Sequence, residues 1–435
     1  MGVGLLIFGL SLALIALRMP VGVAMLLMGG IGFVCLAGWD ALLNTLETTT
    51  YSRFANYTMS VIPLFLMMGQ FATKAGMNLA LFRAARAWFG HWRGGLAIAT
   101  IGGCAAFGAI CGSSLATAAT MAQVAQPEMR RYGYSDGLGT GTLAAGGTLG
   151  ILIPPSVILV IYAILTEQSV GHLFLAAIVP GLLATVGYMI VVAIYVRVAP
   201  LAGPAVERLP WKEKIASLKE IWPVALVFCL VVGGIYAGWF SPTEGAGIGA
   251  ASVGLIAVVF GKMRWQGLRD SLLDTAVTTA MIFLILLGAE LFGTFLALSQ
   301  MPNQVATVVS GLELSPMMVI VAMLLIYLLL GCVMDSLAMI LLTLPVFIPV
   351  VYQLDLGIPT HQVAIWFGIV ALIAVEVGLI TPPIGMNLFV INAIAKDVPM
   401  SATFLGALPF VISDIVRVAL ILAFPALCLY LPELL

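Results

Sequence analysis

The sequence predicts an all-α polytopic membrane protein assembled from two repeats of opposite orientation. Three observations predict it. Hydrophobic residues fill 62% of the 435 positions and charged residues only 9%. Apolar stretches of bilayer-spanning length follow one another almost end to end, and one proline-bearing motif occurs twice at nearly matched spacing. Soluble domains carry about 25% charged residues, so this chain cannot build a water-facing surface, and the bilayer is its solvent. A net charge of -1 indicates neither a nucleic-acid footprint nor an acidic tail.

The first span is the N-terminus itself. Gly4 to Leu17 is apolar, with no basic stretch before it and no small-residue cleavage site, which argues against a removed signal peptide. A hydrocarbon core about 30 Å thick takes about 20 apolar residues per helix. Runs between breakers place ten crossings near 2–18, 20–38, 59–79, 136–168, 172–197, 221–239, 243–261, 272–298, 361–395 and 401–432. Two further apolar regions, 95–127 and 315–352, are too long for one span and carry a polar, glycine-containing break at the middle. They are predicted to be re-entrant hairpins.

Basic residues set the orientation, because cytoplasmic loops carry the Lys and Arg excess. With each hairpin returning to its own side, Arg83, Arg86 and Arg93, Arg130 and Arg131, Arg197, Arg208, Lys212, Lys214 and Lys219, and Lys262, Arg264 and Arg269 fall on one face. Arg18, Lys74 and Lys396 join them, and only Arg53 is opposed. That face is cytoplasmic, so both termini lie outside, hairpin one enters from the cytoplasm and hairpin two from outside.

The halves match in two places. Gly112-Ser113-Ser114-Leu115-Ala116 aligns with Met334-Asp335-Ser336-Leu337-Ala338, and Gly150-Ile151-Leu152-Ile153-Pro154-Pro155 with Gly378-Leu379-Ile380-Thr381-Pro382-Pro383. The proline pairs lie 228 positions apart and the serines 222. Inverted repeats of this kind place substrate and ion sites near the bilayer midplane, on interrupted helices, which points to a secondary transporter.

Proline lacks an N–H and clashes with the carbonyl four residues back, so Pro154 frees the carbonyl of Gly150 and Pro382 that of Gly378. Pro155 and Pro383 do the same for Ile151 and Leu379. Unpaired carbonyls are costly in hydrocarbon. Ser113 and Ser114 at the first hairpin break, Asp335 and Ser336 at the second, and Thr381 and Asn387 beside the second broken helix add hydroxyl, amide and carboxylate oxygens. This all-oxygen set suits a small hard cation, and sodium coupling is the natural reading. A second reading stays open, in which the prolines only kink helices whose carbonyls find neighbouring hydroxyls or water. Half-helix N-termini facing the midplane suit a carboxylate-bearing substrate.

Other classes fit less well. There is no H-E-x-x-H, no P-loop and no pair of intramembrane aspartates on matched helices, and Ser113 has no base nearby in sequence, which argues against an enzyme. Two dead-ended hairpins suit occlusion better than a passive channel. The remaining polar residues have local explanations. Asp414 and Arg417 share a helical face and neutralise each other, Ser241-Pro242-Thr243-Glu244 starts a helix, and Glu290 faces protein or water rather than lipid. Glu376 either tunes the second ion site or caps its broken helix. His91, His172 and His361 sit at segment ends, and the six cysteines form no C-x-x-C pair. The glycine strings at 139–144 and 245–247 mimic dinucleotide fingerprints but follow no strand, so they read as helix-packing positions.

Together these segments resemble the large membrane subunit of tripartite ATP-independent periplasmic (TRAP) transporters along essentially the whole chain. Arg93-Gly94-Gly95-Leu96, the Phe107–Ser114 segment and Pro127–Tyr134 look like that family's first hairpin and its exit. Gly147–Ser156, Ser241–Glu244 and Gly378–Asn387 are similarly close. The resemblance implies an elevator-type transporter, with scaffold helices in 1–80 and 201–298 and transport segments in 81–200 and 299–435. It implies sodium ligation by Ser113, Ser114, Gly150 and Ile153 at one site and by Asp335, Ser336, Gly378 and Thr381 at the other. Ser114, Thr117, Ser156 and Asn387 then border the substrate, with no organic cofactor. Many members have aspartate where this chain has Thr117, which leaves the charge of the first site and the sodium stoichiometry open. The segment 74–93 is similar to an amphipathic arm lying on the cytoplasmic surface. The implied setting is a bacterial inner membrane, with a small four-helix membrane subunit and a periplasmic binding protein as partners. The substrate class is an organic anion: a C4-dicarboxylate, keto acid, sugar acid or sialic acid. A stand-alone sodium-coupled carrier of the same superfamily is the alternative.

Overall fold

The computed structural model describes residues 2–261, 263–312 and 314–434. Lys262, one of the basic residues used for orientation, lies outside them. The described residues form helices joined by short loops, with no strand among them. In the first half these are α1 (Gly2–Ala16), α2 (Val21–Ala37), α3 (Trp39–Phe54), α4 (Val61–Lys74), α5 (Met77–Phe89), α6 (Gly95–Cys111), α7 (Ser114–Arg131), α8 (Asp136–Leu152), α9 (Val157–Leu165) and α10 (Val170–Val198). In the second they are α11 (Trp211–Glu220), α12 (Trp222–Phe228), α13 (Gly234–Tyr236), α14 (Pro242–Val259), α15 (Trp265–Leu298), α16 (Met301–Gly311), α17 (Pro316–Gly331), α18 (Ser336–Val351), α19 (Thr360–Leu379), α20 (Met386–Ile394), α21 (Met400–Ala423) and α22 (Ala426–Glu433).

Helix starts are written in side chains. Ser113, Ser135, Ser156, Ser169, Ser241, Ser315 and Asp335 each accept a backbone N–H from the turn they begin. These caps satisfy donors that hydrocarbon cannot. Ser241 and Glu244 form a reciprocal capping box, as the local sequence implies.

The same order of elements occurs twice. One helix (α4, α15) leads to a short amphipathic helix (α5, α16), a hairpin (α6–α7, α17–α18), a broken helix (α8–α9, α19–α20) and a proline-containing helix (α10, α21). The halves interlock: α2 packs on α15, α4 on α14, α8 on α21 and α10 on α19. Glycine permits the closest of these approaches. A Cβ on Gly406 would sit 1.8 Å from the Gly137 carbonyl oxygen, and one on Gly29 would sit 2.8 Å from the Phe292 Cα. Between them α19 is almost wholly buried, and Tyr162 on α9 donates to the Ala364 carbonyl on it at 2.6 Å. Its all-round apolar sequence is that of an interior helix rather than a lipid-facing one.

Several boundaries differ from the sequence reading. Hairpin one runs to Arg131, not 127, because α7 continues through Pro127, which frees only the carbonyl of exposed Gln123. Hairpin two spans 316–351. The first broken span ends at Leu165 with a 42° bend, and the segment 401–432 is two helices separated at Phe424-Pro425. The polar helices α3, α11 and α16 were not expected.

Several of the basic residues make contacts near one another. Arg86 pairs with Glu128 on hairpin one, and Arg130 reaches Asp397 beyond α20 at 2.7 Å, holding that carboxyl below the usual carboxylate range. Lys214 on α11 lies 5.8 Å from the Trp88 ring on α5.

Replacing Gly406 by valine should force α8 and α21 apart and cost about 3 kcal/mol, the upper end for overpacking. Gly9→Val, where nothing lies within 4 Å of the new Cβ, should stay within about 0.5 kcal/mol. Thermal unfolding of the purified variants in detergent measures both.

Candidate functional site

Each hairpin closes on the broken helix of its own half. At the first tip Gly112 turns the chain with φ of 64°, and a Cβ on it would lie 3.1 Å from the Pro155 carbonyl oxygen. Deeper in, Gly108 meets Gly150 so closely that an added Cβ would stand 2.6 Å from the Gly150 Cα. A Cβ on Gly150 would lie 2.5 Å from Thr117 Oγ1 and 2.6 Å from the Ser113 carbonyl oxygen. Only glycine lets these groups converge.

They form a nest of oxygens. Pro154 has no N–H to give, and that of Ile153 goes to the Leu149 carbonyl at 3.0 Å, so the Gly150 carbonyl receives no backbone donor. Thr117 Oγ1 is fully buried and without a hydrogen-bond partner among the described residues. Such a group costs about 1–3 kcal/mol unless something meets it. The donor set of hydroxyl and carbonyl oxygens fits a hard monovalent cation. Ser113 uses its side chain to cap α7, so its main-chain oxygen is what it brings to the nest. Ile153 packs its side chain toward Gly181, where an added Cβ would meet Ile153 Cγ1 at 3.0 Å, leaving only its carbonyl for the site.

The second half repeats the scheme with differences. A Cβ on Gly378 would lie 2.7 Å from the Gly331 Cα, matching the Gly108–Gly150 contact. Asp335 occupies the position of Ser113, and its Oδ2 accepts the N–H groups of Leu337 and Ala338 at 3.1 and 3.2 Å. Ser336 beside it is buried. The Cys332 thiol lies 3.4 Å from the Pro382 carbonyl, bringing this tip onto its own break. The Gly378 carbonyl, expected to be free, accepts the Thr381 N–H at 3.2 Å, and Thr381 Oγ1 donates to the Val377 carbonyl at 2.5 Å. Two N–H groups remain between Leu379 and the prolines, and they tighten the last turn onto its own carbonyls. The Leu379 and Thr381 carbonyls instead converge on Gly385, where a Cβ would meet them at 3.3 and 3.2 Å. The first break is buried, whereas Pro382, Pro383 and Ile384 are exposed.

The two halves meet at Asn387. Fully buried, it donates from Nδ2 to Ser114 Oγ at 2.7 Å and to the Ala144 carbonyl at 3.2 Å, while its Oδ1 has no partner among the described residues. Ser156 is likewise buried, capping α9 against the first tip. The structure therefore brings Ser113, Ser114, Thr117, Gly150, Ser156 and Asn387 into one region. Gly378 and Thr381 belong to the second break, and Asp335 and Ser336 to the hairpin tip whose Cys332 reaches it, with no hydrogen bond joining Asp335 to Thr381.

Other charges take up unforeseen places. Arg417 Nη2 pairs with Asp414 Oδ1 at 2.9 Å, as expected, but it also faces Glu376 Oε2 at 3.5 Å. Glu376 thus neither caps its helix nor reaches the ion nest. Glu290 is paired with Arg53 of α3 at 2.9 Å, on the wall of a cavity of about 570 Å³ between α15, hairpin two and the end of α9. No sequence pattern joined those two residues, since α3 itself was unrecognised.

Comparisons with known proteins agree with this architecture. Residues 8–427 match the family described as "Tripartite ATP-independent periplasmic transporter, DctM component". The chain is 39% identical over 393 residues, 90% of each chain, to the C4-dicarboxylate TRAP transporter large permease protein DctM of Pseudomonas aeruginosa. It is 32% identical over 430 residues, 98% of each, to the sialic acid TRAP transporter large permease protein SiaM of Vibrio cholerae. Among solved structures, the Alcanivorax borkumensis YdaH transporter superposes with a TM-score of 0.65 over 88% of each chain at 16% identity, a likeness of fold alone.

The nests predict a ranking of glycine substitutions. Gly150→Ala should cost about 1–3 kcal/mol by driving a methyl group into Thr117 and Ser113. Gly331→Ala, whose Cβ would stand 3.0 Å from its nearest neighbour, should cost less. Gly102→Ala, 3.6 Å from a mobile methionine end, should be neutral or slightly stabilising. Thermal unfolding of the three variants tests the order.

Proposed function

This chain belongs to the DctM-component family of tripartite ATP-independent periplasmic transporters, and we propose that it imports a carboxylate-bearing organic anion with sodium ions by an elevator movement. It is the large permease component of its transporter, and a transporter rather than an enzyme. The observation that carries the sodium reading is the first nest: a buried, unpartnered Thr117 hydroxyl beside the Ser113 carbonyl and the proline-freed carbonyl of Gly150. Ser113, Thr117, Gly150 and Ile153 would hold one ion, with Ser114 shaping the hairpin tip. Asp335, Ser336, Thr381 and the carbonyls near Gly378 would hold another. Bound there, sodium supplies the positive charge that an anionic substrate needs at the midplane.

Ser114 and Asn387, already hydrogen-bonded across the halves, together with Thr117 and Ser156, form the polar surface on which a carboxylate would rest. Relatives are named for C4-dicarboxylate, sialic acid and ectoine, each of which carries a carboxylate, and one for isethionate, which carries a sulfonate instead. The elevator reading is supported by the way each hairpin and broken helix close on one another around these oxygens. The inner membrane, with both termini periplasmic, is supported by the gathering of Arg86, Arg130 and Lys214 on one face. The partners follow from the tripartite family: a small membrane subunit beside the scaffold helices and a periplasmic binding protein that delivers the substrate.

The test is uptake of the binding protein's ligand by liposomes holding this chain and its small subunit. Uptake should require the binding protein and an inward sodium gradient, and uptake that proceeds equally well on potassium overturns the reading. Asp335→Asn keeps a good helix cap but removes the charge. It should raise the half-saturating sodium concentration about ten- to hundredfold, as loss of a charge-assisted contact of about 1.5–3 kcal/mol implies.

A further inference from the structure

We propose that a buried polar chain joining the two broken helices couples the two cation nests, so that filling one changes the affinity of the other. The inference rests on the reading of both nests as sodium sites. The chain runs from Thr148 on α8 through Tyr188 on α10 and Asp414 and Arg417 on α21 to Glu376 on α19. Tyr188 donates its hydroxyl proton to Asp414 Oδ2 at 2.7 Å, and Thr148 Oγ1, 3.1 Å from the same tyrosine oxygen, has its one proton shared between that oxygen and the Ala145 carbonyl at 2.7 Å. Asp414 Oδ1 lies 2.9 Å from Arg417 Nη2, which faces Glu376 Oε2 at 3.5 Å. Thr148, Tyr188, Asp414 and Glu376 are 0% exposed and Arg417 4%.

Position makes this more than a structural ion pair. Thr148 lies two residues before Gly150, and Glu376 two before Gly378. Tyr188 lies eight residues past Pro180, and Arg417 eight past Pro409. The chain therefore starts and ends at equivalent positions of the two repeats, each in the last turns of the half-helix that supplies its nest. Its centre is built from equivalent positions of the two helices that follow. Asp414 breaks the symmetry: its counterpart Thr185, five residues past Pro180, bonds back to the Gly181 carbonyl at 2.9 Å instead.

The coupling has a physical route. Drawing the Gly150 and Ile153 carbonyls onto an ion moves the end of α8 and with it Thr148. Thr148, Tyr188, Asp414 and Glu376 are fully buried and Arg417 sits at the edge of a groove between α10 and α21, so the inner groups cannot exchange a lost partner for solvent. Glu376 has no hydrogen bond of its own among the described residues, and the Arg417 guanidinium is the cation that faces it. A shift at one end must therefore be followed along the chain or leave a buried charge poorly paired. Either way, the resting position of α19's last turn depends on whether the first nest is filled.

Tyr188→Phe tests this, because it removes the central hydroxyl and keeps the ring against Phe410. Radioactive sodium is titrated onto the purified complex with its small subunit at constant ionic strength, because uptake that needs two ions is sigmoidal even when they bind independently. Wild type should bind sodium with a Hill coefficient above 1. Tyr188→Phe and, independently, Glu376→Gln should bring it to 1 or below while uptake at saturating sodium is retained. Variants that lose rate or thermal stability but keep the wild-type Hill coefficient, or a wild-type coefficient no greater than 1, overturn the coupling and leave the sodium sites standing. Wild-type uptake indifferent to sodium overturns the sites themselves, and the coupling with them.

Discussion

Everything in this fold depends on the cost of an unpaired backbone carbonyl in hydrocarbon. A continuous helix avoids that cost, and most of the chain is continuous helix. At two places adjacent prolines remove the donors, and the protein answers by bringing a hairpin tip to the break. Glycine makes the approach possible: Gly108 on Gly150 and Gly331 on Gly378 allow main chains to come within distances that any side chain would forbid. What gathers at the first, buried break is hydroxyl and carbonyl oxygen, whereas the second break is exposed and has the Cys332 thiol against its Pro382 carbonyl.

The two halves are not independent modules. Helices of one pack against helices of the other throughout, and Asn387 of the second half holds Ser114 of the first. The interior helix α19 touches both hairpins' surroundings and carries Glu376 into a charged cluster fed by α21. Two carboxylates and one guanidinium in a setting this dry gain nothing as stability devices that an apolar core would not supply more cheaply. The proposed link between the two breaks gives them a reason to exist. The halves also differ where charge is concerned: Thr117 in one nest, Asp335 at the tip facing the other.

Much of this was legible in the sequence because membrane constraints are severe. Pro-Pro pairs, hairpin tips and the Asp414–Arg417 spacing all violate what hydrocarbon tolerates, and violations stand out in a chain with so few charges. What escaped reading obeyed no such contrast. The helices α3, α11 and α16 are polar and short, so neither span length nor hydropathy flagged them. Pro127 looks like a helix end, but α7 continues through it with exposed Gln123 four residues back. The Gly378 carbonyl looked free, yet Ile380 and Thr381 still had donors to fold back onto it and its neighbours. Glu376 and Tyr188 each look like single polar residues in apolar runs, and their partner is more than two hundred positions away from the tyrosine and reached only through the fold.

The most direct measurement of the central claim is equilibrium binding of radioactive sodium to the purified chain at constant ionic strength. The account predicts saturable binding of more than one ion per chain, which excess unlabelled sodium displaces far better than potassium. No saturable binding, or binding that potassium displaces equally well, would contradict it and leave the paired prolines as kinks whose carbonyls are met by water and neighbouring hydroxyls.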